Sequence, residues 1–362
     1  MRWLFIFLLG SLKILSDHRR PEIQEGFAVA NASNKYCCPS LFERLFFGSN
    51  YRAEWSTLVR MPVFDIRKTN FRIVEMGGGQ QTTSLELIDD ENREWVLRSV
   101  DKNVKPSGKF TSTKIVKAII QDHVSGAYPY AGLSVPDIAD AAGVPTDKQY
   151  LYFVPDDSAF GQFRAAMANK VFILVKHPQE KESITTEQLL QRLQSDKQCH
   201  VEAKAYLKAR LVDWLVADWD RHDEQWRWIE KRTDTGIAFY VVPRDRDQAF
   251  FRSDGLVIKI FGLFFMPHLD KFNNEAKGLK ELSKKSWTLD KQFLSSLSKG
   301  DWEAIIKEFQ QDISDSVIES AIKKQPPEIF SIRGIKLIEK LRSRRDGLQI
   351  QAMKYYSFLT RT

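Results

Sequence analysis

The sequence predicts an α+β protein in two lobes, a small antiparallel-sheet lobe followed by a mainly helical one. Three observations carry this. Short runs of β-formers alternate with turn clusters through the first half; after Ser183 the apolar residues change to helical spacing; and a single hairpin with charged ends interrupts the helical half. A chain of 362 residues with 43% hydrophobic content can bury a core in each lobe, which excludes a disordered or collagenous protein. The predicted divisions are a signal peptide over 1–20, an N-terminal extension over 21–66, a strand-rich lobe over 67–180 and a helical lobe over 181–362.

At the start, Arg2 precedes the apolar run Trp3 to Leu9, the pattern of a secretory signal, and predicts export to the periplasm, outer membrane or cell surface. The alternative is a cytoplasmic chain beginning with an amphipathic helix, because Lys13 and Asp17 to Arg20 break the run early. Strands follow at Phe71 to Val74, Ser84 to Ile88 and Glu94 to Val100, with Gly77-Gly78-Gly79-Gln80-Gln81-Thr82 between the first two. Val116, Ile119, Ile120 and Val124 predict a helix from Lys114 to Ser125, and Tyr150 to Val154 and Val171 to Val175 predict two more strands. Leu189, Leu190 and Leu193 mark one helix; Leu207, Leu211, Trp214 and Leu215 mark the next.

Beyond these come a hairpin, Trp226 to Ile229 and Ile237 to Val242 around Thr233-Asp234-Thr235-Gly236, and helices over 301–313, 315–323 and after Ser331. The apolar run Gly255 to Met266 is too short to cross a bilayer, so no transmembrane helix is expected in the mature chain. Opposed to 47 acidic residues, 54 basic ones leave a thin positive balance. The densest basic stretch, Lys336 to Arg345, predicts a solvated helix face and no nucleic-acid partner, since no aromatics interleave it. Three cysteines, two of them adjacent, imply neither a disulfide framework nor a zinc knuckle.

An antiparallel hairpin sets its open ends side by side. It therefore brings Asp218, Asp220, Asp223 and Glu224 near Asp245 and Asp247. Carboxylates so crowded resist joint ionisation unless cations share them, and magnesium with substrate phosphates is one such arrangement. The bland reading is a solvated hairpin mouth paired at the surface by Arg221, Arg244 and Arg246.

Asp218-Trp219-Asp220-Arg221-His222-x-x-Gln225 resembles the catalytic loop of atypical kinases, the group that includes HipA-type toxins, spore-coat CotH proteins and secretory-pathway kinases. Pro243-Arg244-Asp245-Arg246-Asp247-x-x-Phe250 resembles their metal-binding turn. The resemblance implies a two-lobed protein-kinase-like fold using ATP with Mg2+ or Mn2+. It makes Asp220, with Arg221 and His222, the catalytic set, Gln225 and Asp245 or Asp247 the metal ligands, and Gly77 to Thr82 the bend over the phosphates. Arg98 stands where kinases carry a phosphate-gripping lysine, with Lys102 just beyond, and Asp122 or Gln121 is the nearest partner on the following helix. Tyr51-Arg52-x-x-Trp55, Leu97 to Lys102, Ala139 to Val144 and Arg344-Arg345-Asp346-x-Leu348 also resemble large secreted or surface proteins of Bacteroidota-type bacteria.

Three functions follow. The first is a magnesium-dependent kinase that transfers the γ-phosphoryl of ATP to a hydroxyl of a protein or envelope component. The second is a pseudokinase or scaffold that binds a nucleotide or partner without transfer, which Arg98 and Gln225 favour. The third is a metal-dependent phosphoesterase built on the same acids.

Overall fold

Period-2 alternation builds the first lobe. The computed structural model describes residues 21–77, 82–103, 121–177, 183–234, 236–256 and 272–361. Strands β1 (Ile23–Gln24), β2 (Phe27–Ala30) and β3 (Val59–Pro62) form a small antiparallel sheet. Helices α1 (Leu41–Phe47) and α2 (Arg52–Ser56) lie between its second and third strands. A five-stranded sheet follows, made of β4 (Arg72–Gly77), β5 (Ser84–Ile88), β6 (Glu94–Ser99), β7 (Lys148–Val154) and β8 (Lys170–Lys176). Its order is β4-β5-β6-β8-β7, and every neighbouring pair is antiparallel.

In β8 the residues Val171 to Val175 are all buried, because both faces of the sheet are covered. Phe172 and Leu174 join Leu85, Leu87, Leu97, Phe64 and Phe160 on one face. Val171, Ile173 and Val175 belong instead to the main core. Phe64 comes from the N-terminal segment, whose Phe64 N–H donates to Phe153 O at 2.8 Å, so residues 21–66 are packed onto the sheet and are not a loose appendage.

The helical part is arranged around one buried helix. Helix α3 (Val135–Ala141) lies between β6 and β7 in sequence, and α4 (Thr186–Ser195) begins at a capping box on Thr185. Helix α5 (Ala203–Val216) is buried all round from Ala209 onward. Strands β11 (Trp226–Thr233) and β12 (Gly236–Pro243) form the predicted hairpin, extended by β9 (Ile184–Thr185) and by β10 (Cys199–Val201), which runs parallel to β12. Gly236 has φ +131°, and a Cβ there would lie 2.4 Å from Gln198 O, so the turn requires glycine. Helices α6 (Trp287–Leu294), α7 (Lys299–Asp312), α8 (Asp315–Lys323) and α9 (Ile335–Arg361) complete the chain. No helix among the described residues is long and apolar enough to cross a membrane.

The α+β, sheet-then-helices order is as the sequence predicts. Other expectations need correction or fall outside. The small β1-β2-β3 sheet is absent from the sequence reading. The basic stretch Lys336 to Arg345 is not simply solvated: Arg342 and Arg345 pair with Asp315, and Arg344 is 3% exposed. Residues 1–20, most of the helix expected over 114–125, and most of the apolar run after Gly255 lie outside the described residues.

Arg344 has a definite task. Helix α5 ends at Ala217, which takes the left-handed conformation at φ 55°. Its last carbonyls need donors. Arg344 Nε donates to Leu215 O at 2.7 Å and Nη2 to Trp214 O at 2.6 Å, while Nη1 reaches Glu275 O at 2.7 Å. A cation at a helix C-terminus is also favoured by the helix dipole. Replacing Arg344 with Met leaves these buried carbonyls without that donor, and chemical denaturation should show a loss of about 3 kcal/mol.

Candidate functional site

The hairpin is held in place by aromatic packing. Trp226 and Trp228 are fully buried, with ring centroids 5.3 Å and 5.9 Å from Tyr206 of α5. At its open end Trp226 pairs with Pro243, and Arg244 N–H donates to Gln225 O at 2.8 Å. The loop before β11 and the turn after β12 are therefore neighbours, as the hairpin argument requires.

A carboxylate below them fixes both. Asp213, on α5 and 0% exposed, accepts from Arg221 Nε at 2.9 Å, from Arg246 Nε at 2.9 Å and from Arg210 Nη1 at 3.0 Å. Arg221 belongs to the first loop and Arg246 to the second. Arg221 also donates through Nη1 to Arg244 O, a contact that joins the two loops directly. Burial alone would raise the Asp213 pKa, but Arg221, Arg246 and Arg210 outweigh it and hold the group well below the usual carboxylate range. Further along α5, Arg210 Nε meets Asp290 at 3.0 Å, and the hydroxyls of Tyr206 and Tyr355 donate to the same carboxylate at 2.8 Å and 2.7 Å.

With the loops so anchored, the remaining acids meet cations from other elements. Across a cleft of about 870 Å3 between the five-stranded sheet and the hairpin mouth, Arg98 of β6 contacts Asp245 at 3.0 Å and Lys102 forms an ion pair with Asp247. That volume suits a small-molecule ligand. Asp245 has φ 52°, and its Oδ1 accepts from Asp247 N at 3.1 Å, which closes the turn that presents both acids. Asp245 foremost, with Asp247 behind it, raises the Arg98 pKa against the effect of burial. Burial pushes the Asp247 pKa up, but Lys102 and then Arg98 hold it down at about 2. Asp220 is paired with Lys285, whose neighbour Ser286 donates to Arg221 O at 2.9 Å.

The sequence-predicted residues separate into groups. Thr82, Arg98, Lys102, His222, Gln225, Asp245 and Asp247 line the cleft together. Gly77 closes β4, and Gly78, Gly79, Gln80 and Gln81 lie outside the described residues. Arg221, read as a member of the catalytic set, does not face the cleft: it is 2% exposed and binds Asp213, so its task is to hold the loop. Asp220 is not among the residues that line the cleft; it is half-buried and paired with Lys285. The Gln225 side-chain oxygen Oε1 accepts from Arg221 Nη1 and from His222 N, both at 3.4 Å. The carboxylate that meets Arg98 is Asp245; Asp122 instead takes both bonds from Arg52 Nη2, at 2.9 Å and 2.7 Å. Arg221 and Arg246 do not pair acids at the surface; both are buried on Asp213.

Sequence reasoning missed four participants. Asp213 carried a signal, since Arg210 and Asp213 stand three apart among the apolar residues of the helix's second half. Asp147 and His177 meet at 2.8 Å in the cleft, because Lys148 pairs with Lys176 in the β7-β8 register. Lys285 carried no local signal, as it lies 65 residues from Asp220.

Two carboxylates with a nearby amide suit magnesium only when substrate phosphates complete the shell, and Asp245 and Asp247 provide that donor set. Among the described residues no group of three or more His, Cys, Asp or Glu is placed to hold a metal unaided.

No family model matches the chain, and no curated protein matches it. Among solved structures it is similar to the Helicobacter pylori proinflammatory kinase CtkA, at 12% identity and TM-score 0.43, covering 81% of this chain and 99% of that one. It is also similar to the Rio2 kinase–ADP/Mg2+–phosphoaspartate complex of Chaetomium thermophilum, at 12% identity and TM-score 0.33, covering 79% and 74%.

Asp218 makes the site sensitive to pH. It is 2% exposed, and Arg221, at 3.4 Å, is already engaged by Asp213. Burial pushes the Asp218 pKa up to about 7 despite Arg221. Between the unfolded carboxylate value of about 4 and 7, the folded state binds the proton and the unfolded state does not, so this group's contribution to stability falls as pH rises. Asp218→Asn should therefore gain stability relative to the parent protein between pH 5 and pH 7, by about 1 kcal/mol per pH unit at most, in denaturant titrations at both pH values.

Proposed function

We propose that the protein is a magnesium-dependent phosphotransferase of kinase-like design, which binds ATP in the cleft and passes its γ-phosphoryl to a hydroxyl of a protein or an envelope component. One observation carries the reading: two cations of the sheet lobe, Arg98 and Lys102, meet two acids of the hairpin turn, Asp245 and Asp247, across a ligand-sized cleft. Such a cleft can accept a metal–polyphosphate complex by exchange of partners. Phosphate oxygens would replace the carboxylates on Arg98 and Lys102, and the divalent ion would replace the cations on Asp245 and Asp247. The resemblance of both loops to atypical kinases supports the same assignment.

In this reading Arg98 clamps phosphate with its planar fork, and Lys102 supplies a point charge. Asp220 orients the acceptor hydroxyl and takes its proton, while Lys285 neutralises Asp220 when no acceptor is bound. His222 and Gln225 line the cleft between the two acids' loops. Bound magnesium supplies charge neutralisation for the transferring phosphoryl. Catalysis then rests on positioning, which the Asp213 anchor provides.

Nucleotide binding without transfer is the second reading, and the pairing of Asp220 with Lys285, away from the residues that line the cleft, favours it. One experiment separates the two: calorimetry with ATP and MgCl2, together with phosphoryl transfer assays. An active enzyme should bind nucleotide more tightly with Mg2+ than without it. Asp220→Ala should retain binding and lose transfer by about a hundredfold or more, whereas Asp245→Ala should lose the magnesium-dependent part of binding. Magnesium-dependent binding with no transfer would establish the second reading, and absence of nucleotide binding would refute both.

A further inference from the structure

Lys102 lies just after β6, outside regular secondary structure, where a side chain has many conformations open to it. Its side chain is nonetheless 11% exposed and fixed on Asp247. The restraint comes from far away in sequence. Asp101, next to Lys102, has its carboxylate held by the N-terminal segment: Ser33 Oγ and the Tyr36 hydroxyl each donate at 3.2 Å, and Lys35 Nζ lies at 2.7 Å. The Lys102 carbonyl accepts from Gln121 Nε2 at 2.8 Å, and the same amide donates to the Tyr36 oxygen at 2.7 Å. The Tyr36 hydroxyl is thus a node, giving its proton to Asp101 and receiving one from Gln121. Tyr36 is 2% exposed, its ring edge-on to Trp55 at 5.0 Å, and Arg52 donates to its carbonyl at 3.3 Å.

The other end of the same segment reaches the residues that follow the acidic turn. Tyr51 OH donates to Phe250 O at 2.5 Å, and Asn50 Oδ1 accepts from Asp254 N at 3.1 Å. Between the two ends, Asn50 Nδ2 donates to Ser125 Oγ at 2.8 Å and Trp55 Nε1 to Ala127 O at 3.0 Å. One segment thus touches the turn that carries Lys102, the residues after Gln121, and the residues that follow Asp247.

We propose that residues 33–55 form an intramolecular strap that sets Lys102 against Asp247, with the Tyr36 hydroxyl as the positioning group. The strap holds the stretch that carries Lys102 at one end and the residues just after Asp247 at the other. Its effect on ligand affinity rests on the nucleotide-site reading, whereas its effect on Lys102 does not.

Lys102 reactivity tests this without any ligand. Brief treatment with an amine-acetylating reagent, read by mass spectrometry at Lys102 and Lys285, measures how firmly each ammonium is held. Tyr36→Phe keeps the ring and removes the node; it should speed Lys102 labelling about fivefold, the equivalent of one hydrogen bond, and leave Lys285 unchanged. Gln121→Leu cuts the node from the other side and should do the same. Arg344→Met removes structural bonds outside this segment, and should lower the melting temperature without changing Lys102 labelling. Unchanged Lys102 labelling in both node variants overturns the strap. If the parent protein binds Mg2+-ATP, its affinity should fall about fivefold in Tyr36→Phe. If it binds no nucleotide while the labelling difference holds, the strap stands and the nucleotide reading fails.

Discussion

The arrangement depends on one buried carboxylate. Asp213 sits in the fully buried second half of its helix and receives three guanidinium groups, two of them sent down from the loops that carry the acids. Burying such a group is unfavourable unless its charge is matched and its lone pairs are filled. Arg210, Arg221 and Arg246 do both. The consequence is geometric: two loops more than twenty residues apart cannot move independently, because their arginines share one acceptor. Asp218 bears the burden of this sharing, since the guanidinium beside it is already engaged.

A second layer of electrostatics rests on that anchor. Three acids at the mouth of the hairpin are each paired with a cation from a different part of the chain: Asp245 with Arg98, Asp247 with Lys102, Asp220 with Lys285. Crowded carboxylates are stable there because the opposite charge is imported. In the proposed reading these pairs would exchange partners with a ligand that brings both anionic oxygens and a divalent cation. Metal and nucleotide would then favour each other's binding, since either one alone displaces half of each pair.

Much of this was legible in the residues. The five strands of the first lobe were visible because β-formers and turn clusters alternate there, and the hairpin because Thr233-Asp234-Thr235-Gly236 stands between two apolar runs. Hairpin geometry alone brought Gln225 beside Arg244. What could not be read depends on distance in sequence. Asp147 meets His177 only through a strand register, Tyr36 meets Asp101 only through a segment that wraps the sheet, and Lys285 reaches Asp220 from beyond the hairpin. Arg221 was misread because charge suggests exposure, and nothing in its own loop announces the buried aspartate eight residues earlier.

The pairing across the cleft is the claim on which the functional account stands, and a double-mutant cycle measures it directly. Lys102→Met, Asp247→Asn and the combined variant would be unfolded in denaturant at neutral pH and moderate salt. The account predicts a coupling energy of about 1 kcal/mol or more between the two positions. Strictly additive effects would mean that the sheet lobe and the acidic turn do not meet in solution, and would contradict it.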